Sequence, residues 1–280
     1  MATRFTELVG CDLPVQLAAM GGVGTVELAA AVAAAGGFGM VPGRVEGVPE
    51  GCGMNYLMPF VPPADEIRER ARRARVIEFF YGDPRVDVVA AVHEGGALAG
   101  WQVGSAAEAK AAEEAGCDYV VAQGIEAGGH VRGELGLDLL LGQVCAAVRI
   151  PVLAAGGVAT AERVAQLIRA GADGVRVGTR FVASAESGAH PEYVRRLIEA
   201  KGSDTVVTEW FGEGWEHAPH RVLRSSLEAA QLSGWRQTVP PAQGAERDVS
   251  DMAMYAGTGV GDVTRVEPAA AVVLDLLRLL

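Results

Sequence analysis

Two glycine-bearing segments are placed where a chain could hold an anion: Ala154-Ala155-Gly156-Gly157 and Val177-Gly178-Thr179. Each ends a short apolar run, and the first leads into a helical pattern starting at Thr160. Glycine lets backbone N–H groups approach phosphate oxygens closely, and a helix N-terminus adds a favourable field. Taken singly, either segment is as well explained by a tight turn. Two of them at consecutive strand ends favour a phosphate cradle. A third segment, Gln123-Gly124-Ile125-Glu126-Ala127-Gly128-Gly129-His130, carries a histidine just beyond a Gly-Gly turn. A histidine there suits proton transfer, or hydrogen-bond donation to a developing anion, with Gly128 leaving room for a flat ring. A lone histidine is more often structural, but the others lack such a setting. His93 falls in a helical pattern and His190 opens a later, irregular region; His217 and His220 lie within that region and could face the pocket, with a plain surface role favoured.

These residues need a scaffold, and the chain supplies one. Eight short runs read as strands: residues 14–17, 37–41, 53–57, 76–80, 98–103, 119–123, 151–154 and 174–177. Several are continuously apolar, as parallel strands covered on both faces must be. Helical patterns separate most of them. Thr25 opens one, Ser105 with Glu108 three residues later forms a capping box for another, and Thr160 opens a third. Two helix-to-strand joins repeat nearly the same phrase, Ala115-Gly116-Cys117-Asp118-Tyr119-Val120 and Ala170-Gly171-Ala172-Asp173-Gly174-Val175. A glycine there supplies the left-handed cap and the aspartate turns the chain into the next strand. Right-handed crossovers then favour an α/β fold, a closed (β/α)8 TIM barrel, with its site at the strand C-termini and phosphate at the seventh and eighth strands.

From about residue 185 the texture changes. Trp210, Trp215 and Trp235 cluster there, with irregular glycines and prolines and a loop-like Val239-Pro240-Pro241-Ala242-Gln243-Gly244. Residues 1–184 and 251–280 are therefore expected to form the barrel, closed by an apolar helix over 268–280. Residues 185–250 are expected to form a smaller cap, with Trp210, Phe211 and Trp215 shaping the substrate.

Composition narrows the partners. Half of the 280 residues are hydrophobic, enough for a sizeable core. The formal charge of −11 argues against a nucleic-acid partner, which needs a basic face. Arg68, Arg70, Arg72, Arg73 and Arg75 lie among Asp65, Glu66, Glu69 and Glu78, and read as a solvated helix face. Cys11, Cys52, Cys117 and Cys145 are too scattered for a metal or redox clip, so no metal site is expected and free thiols suggest a reducing cytoplasm. The start shows no signal-peptide pattern, and the longest apolar stretch, residues 28–41, is too short to span a membrane. A small-molecule partner is expected, and oligomeric state, a homo-oligomer included, is left open.

The same residues carry a family resemblance. The matching segments are Pro14-Val15-Gln16-Leu17-Ala18-Ala19-Met20-Gly21-Gly22-Val23, Gly53-Met54-Asn55-Tyr56, the stretch from Gln123 to His130, the stretch from Pro151 to Val158, and Gly174-Val175-Arg176-Val177-Gly178-Thr179-Arg180-Phe181. Tyr255-Ala256-Gly257-Thr258-Gly259-Val260-Gly261 is similar to the family's glycine-rich return loop, with Thr258 where Gln is commoner. The sequence resembles the nitronate monooxygenase (2-nitropropane dioxygenase-like) family, which is related to flavin-dependent enoyl-ACP reductases. The resemblance implies FMN, a barrel with a cap, and oxidation of alkyl nitronates by molecular oxygen to a carbonyl compound and nitrite. It implies His130 as the catalytic residue and Met20 and Asn55 near the isoalloxazine ring. Gln102 would lie near the pyrimidine edge, Gln123 and Gly128 would line the flavin, and Gly156, Gly157, Gly178 and Thr179 would bind its phosphate. Gln102 on a barrel strand also suits plain interior filling, and Met20 plain packing. Two other activities stay open: NAD(P)H-dependent reduction of an enoyl thioester or quinone, and flavin binding without turnover. Whether His130 acts as base or as hydrogen-bond donor also stays open.

Overall fold

The computed structural model describes residues 1–280. Eight parallel strands follow one another around a barrel: Val15–Leu17, Met40–Pro42, Gly53–Leu57, Val76–Phe80, Leu98–Val103, Tyr119–Gln123, Val152–Ala155 and Gly174–Val177. The first strand pairs with the eighth, Gln16 opposite Arg176. Closure on the other side runs through Phe38, whose N–H donates to Val15 O at 2.8 Å and whose carbonyl accepts from Leu17 N at 2.9 Å. This isolated bridge nearly closes the ring, although Val15–Leu17 and Met40–Pro42 form no ladder of their own.

Helices Val26–Ala34, Ala64–Ala71, Val86–Gly95, Ala106–Glu114, Leu137–Ala147 and Ala161–Arg169 cover the outside, and the second strand is followed by a loop instead. The last helix, Ala269–Leu277, packs against Val26–Ala34 and Ala161–Arg169, filling the gap where the ring of helices begins and ends. None of the helices is long and apolar enough to cross a membrane. Thr25, Ser105 and Thr160 all accept the expected N-terminal N–H. Glu108 does not complete a reciprocal box, because its carboxylate accepts from Gly104 N at 2.7 Å and from Arg132.

The repeated Gly-x-Asp joins have a sharper role than turning the chain. Gly116 (φ 95°) and Gly171 (φ 105°) take the left-handed conformation that side chains disfavour. Each aspartate then reaches sideways to the preceding strand. Asp118 accepts from Ala99 N at 2.7 Å and Asp173 from Val152 N at 2.9 Å. The same device sets the register of neighbouring strands at two places in the barrel.

An N-terminal helix, Arg4–Val9, inserts Phe5 and Val9 beside Phe38, Met40, Val76, Tyr119, Val121 and Leu153. Arg4 bonds Asp173 and Arg149 O, while Arg75 bonds Val9 O, so this apolar plug seals the end where the strands begin. The opposite end stays available for chemistry. There a three-stranded antiparallel sheet joins Thr205–Thr208, His220–Leu223 and Gly129–His130. The region after residue 185 is thus more regular than its composition suggests, with helices Pro191–Glu199 and Arg224–Ser233 flanking those strands. Glu78 departs from the expected solvated face. It lies on the fourth barrel strand and is fully buried, pointing into the barrel.

Candidate active site at the strand C-termini

The seventh and eighth strands adjoin, Ala155 opposite Arg176, so the two glycine segments after them share one corner of the barrel mouth. Gly156 (φ 119°) and Gly157 (φ 66°) hold conformations open to glycine. A Cβ on Gly157 would also stand 2.9 Å from Thr258 Oγ1. The backbone N–H groups of Gly156, Gly157, Gly178 and Thr179 have no hydrogen-bond partner within the chain. Unpaired peptide N–H groups are rare in folded proteins, and four at adjoining strand ends form a cradle that an oxyanion would satisfy. Met20 comes in from the loop after the first strand, its Sδ 3.8 Å from where a Gly178 Cβ would lie. The return loop closes the corner from above. Gly257 N donates to Thr179 Oγ1 at 3.0 Å and Thr258 N to Glu126 O at 2.9 Å.

Gly128 has a packing reason of its own. A Cβ there would meet Gly257 N at 2.6 Å and Ala256 C at 2.7 Å, so the return loop occupies the space beside it. Gln123, the last residue of the sixth strand, donates from Nε2 to His130 O at 2.9 Å, while its buried Oε1 has no partner. Asn55 donates to Glu78 Oε1 at 2.8 Å, and Gln102 accepts from Arg176. Asn55, Gln102 and Gln123 therefore form part of a polar floor across the mouth. Its buried unpaired acceptor and unpaired N–H corner fit a flat, hydrogen-bonding group that ends in a phosphate.

His130 stands to one side, on the short strand paired with His220. Its Nδ1 lies 3.2 Å from Ala218 O, and a carbonyl only accepts, so Nδ1 carries the proton. Nε2 is then an acceptor, 3.4 Å from Thr238 Oγ1, which in turn lies 2.8 Å from the Tyr255 hydroxyl. Burial is the main cause that pushes His130 down to about 3, with His220 adding to it and the Ala218 and Pro219 backbone opposing. The ring is accordingly neutral throughout the physiological range. Aromatic rings enclose it: Trp215 at 4.1 Å between centroids, Tyr81 at 5.8 Å and Tyr255 at 6.0 Å. Tyr81 itself has φ 66°, a strained conformation for a bulky residue, held while its ring packs on Trp215 at 4.7 Å.

Of the two alternatives for His220 the favoured surface role does not hold: it is fully buried, 5.2 Å from His130 and donating to the same Ala218 carbonyl. Burial lowers its pKa too. The sequence hides this role because the pairing joins distant segments. Of the aromatic residues expected to shape the substrate, Trp215 reaches His130, Phe211 is buried behind His220, and Trp210 bonds Trp235 O under Arg236.

A family model described as nitronate monooxygenase matches residues 65–278. The chain belongs to the nitronate monooxygenase family. This family member is an oxidoreductase, and a flavin is expected for its kind. A structure of FabK from Thermotoga maritima superposes with a TM-score of 0.83 at 30% identity, covering 99% of this chain and 96% of that one. A nitroalkane oxidase from Streptomyces ansochromogenes superposes at 0.77, with 30% identity and 98% and 96% coverage. A hydroxy-methyl-oxo-octahydroindene-carboxyl-CoA dehydrogenase of Mycobacterium tuberculosis is 32% identical over 84% of this chain and 70% of its own length.

Proposed function

We propose that this chain is an FMN-dependent oxidoreductase that uses molecular oxygen to convert an alkyl nitronate to a carbonyl compound and nitrite. The observation that carries this reading is His130, a neutral imidazole whose Nδ1 proton is committed to Ala218 and whose Nε2 is an acceptor. Nε2 therefore presents a lone pair rather than an N–H to the site; held at about 3 it is a weak base, and transfer of a proton from a neutral nitroalkane would draw on the pairing of the imidazolium with the nitronate formed beside it. Gly156, Gly157, Gly178 and Thr179 would hold the FMN phosphate, with Met20, Asn55, Gln102, Gln123 and Gly128 around the ring. Bound FMN would supply the electron acceptor. Trp215, Tyr81 and Tyr255 keep water from Nε2, and Thr238 orients it. In this reading residues 185–250 are a substrate cap on the barrel formed by residues 1–184 and 251–280. The unpaired thiols fit a reducing cytoplasm.

A second reading is favoured by the mycobacterial relative, which is named as a carboxyl-CoA dehydrogenase. In that reading His130 would lie beside a thioester carbonyl, and bound flavin with NAD(P)H would supply the redox chemistry. One pair of measurements separates the two. Oxygen uptake with propionate 3-nitronate in the absence of NADH supports nitronate oxidation. Rapid anaerobic bleaching of the flavin by NADH, without such uptake, overturns it.

A further inference from the structure

The floor of the proposed cofactor site contains a charge that the reading above leaves unused. Arg176 lies on the eighth strand, two residues before Gly178, and is only 7% exposed. Its guanidinium reaches Gln16 on the first strand (Nε to Oε1, 2.9 Å), Gln102 on the fifth and Glu78 on the fourth. Partners on strands so far around the ring can be met only through the barrel interior, so the cation sits near the axis. Glu78 lies deeper, at 0% exposure, and is also held by Asn55 at 2.8 Å and Tyr119 at 2.8 Å. The pair is therefore oriented, with carboxylate inward and guanidinium toward the mouth. Arg176 has five N–H donors, of which Gln16, Gln102 and Glu78 take three and two remain without a partner in the chain.

A buried ion pair is weak evidence for stability, because desolvating both charges offsets their attraction and apolar replacements often fold as well. An apolar plug already fills the other end of this barrel. A charge kept at the mouth thus points to what binds over it. Reduction of a flavin leaves negative charge along the N1–C2=O edge of the ring, and a fixed cation nearby lowers its energy.

We propose that Arg176 is the group that stabilises the negatively charged reduced flavin, with Glu78, Gln16 and Gln102 as its positioning residues. The proposal rests on the flavin reading. Arg176 contributes the charge, and Glu78 both aims it and tempers it. Removing Glu78 alone should therefore strengthen the effect, whereas removing both charges should abolish it.

Sulfite binding tests this without turnover, because its adduct at flavin N5 places the same negative charge on the ring. Wild type, Glu78→Gln, Arg176→Lys and the double variant Arg176→Gln with Glu78→Gln are titrated by flavin bleaching. A neighbouring buried charge acts strongly even at an effective dielectric near 20, so the double variant should lose about tenfold or more in sulfite affinity. Glu78→Gln should gain affinity, and Arg176→Lys should stay within a few fold of wild type. The opposed signs separate an electrostatic role from a purely structural one, and Glu78→Gln alone decides the matter if the double variant does not fold. Full flavin loading with unchanged sulfite affinity in Glu78→Gln and in the folded double variant overturns the proposal alone. Wild-type protein that binds no FMN overturns the underlying cofactor reading and the proposal with it.

Discussion

Replacing His130 by Asn should flatten the acid sensitivity of folding. In the folded protein burial holds His130 down to about 3, against a usual value of 6.5. The sign follows from proton counting. Above pH 6.5 neither folded nor unfolded chain binds a proton here, so the group leaves stability unchanged. As pH falls below 6.5 the unfolded chain takes up a proton that the folded chain refuses, so stability is lost progressively toward pH 3. Between pH 7 and pH 5 this linkage amounts to about 2 kcal/mol, a large fraction of a typical folding free energy. His220 acts in the same direction but remains in both proteins, so it cancels in the comparison. Urea unfolding of wild type and His130→Asn at pH 7 and pH 5 measures the difference. Wild type should lose about 2 kcal/mol more than the variant over that interval. Equal losses would refute the assignment of a buried, neutral His130.

Other outcomes follow from the same geometry. Trp215→Ala removes the indole packed on His130, so the ring should titrate closer to 6.5, visible as an upward shift of its NMR titration midpoint. Gly157→Ala forces a side chain into φ 66° against Thr258, which should cost about 1–2 kcal/mol and weaken FMN retention, read by ultrafiltration and absorbance. His130→Ala should keep its flavin yet lower kcat/KM for a neutral nitroalkane by about 100-fold or more, with a smaller loss for preformed nitronate. Comparable losses on both substrates would argue against the base role.

Much of the scaffold is legible from local sequence. Apolar runs, N-cap threonines and serine, and Gly-x-Asp joins are short-range signals, and the barrel strands lie within a few residues of where they predict. The glycine corner is legible for a related reason, since Gly156 and Gly157 are fixed by backbone conformation that no other residue adopts easily. What escapes is pairing between segments far apart in sequence. Glu78 sits near the arginine-rich helix in sequence, yet strand alternation turns it inward to Arg176. His220 meets His130 only because the three-stranded antiparallel sheet takes in a strand from the sixth-strand loop. Gly128 has two sequence-level explanations, and only the position of Gly257 reveals the packing one. The plugging helix Arg4–Val9 is short and carries just two core apolar residues, too weak a periodicity to read as a barrel seal.

The central claim is that one corner of the barrel mouth binds the phosphate of FMN. The direct measurement is the visible spectrum of the purified protein, followed by chromatographic identification of whatever the denatured protein releases. The account predicts a yellow protein that releases FMN close to one per chain and loses it in Gly157→Ala. A protein that stays colourless after incubation with FMN, or retains riboflavin as tightly as FMN, contradicts it.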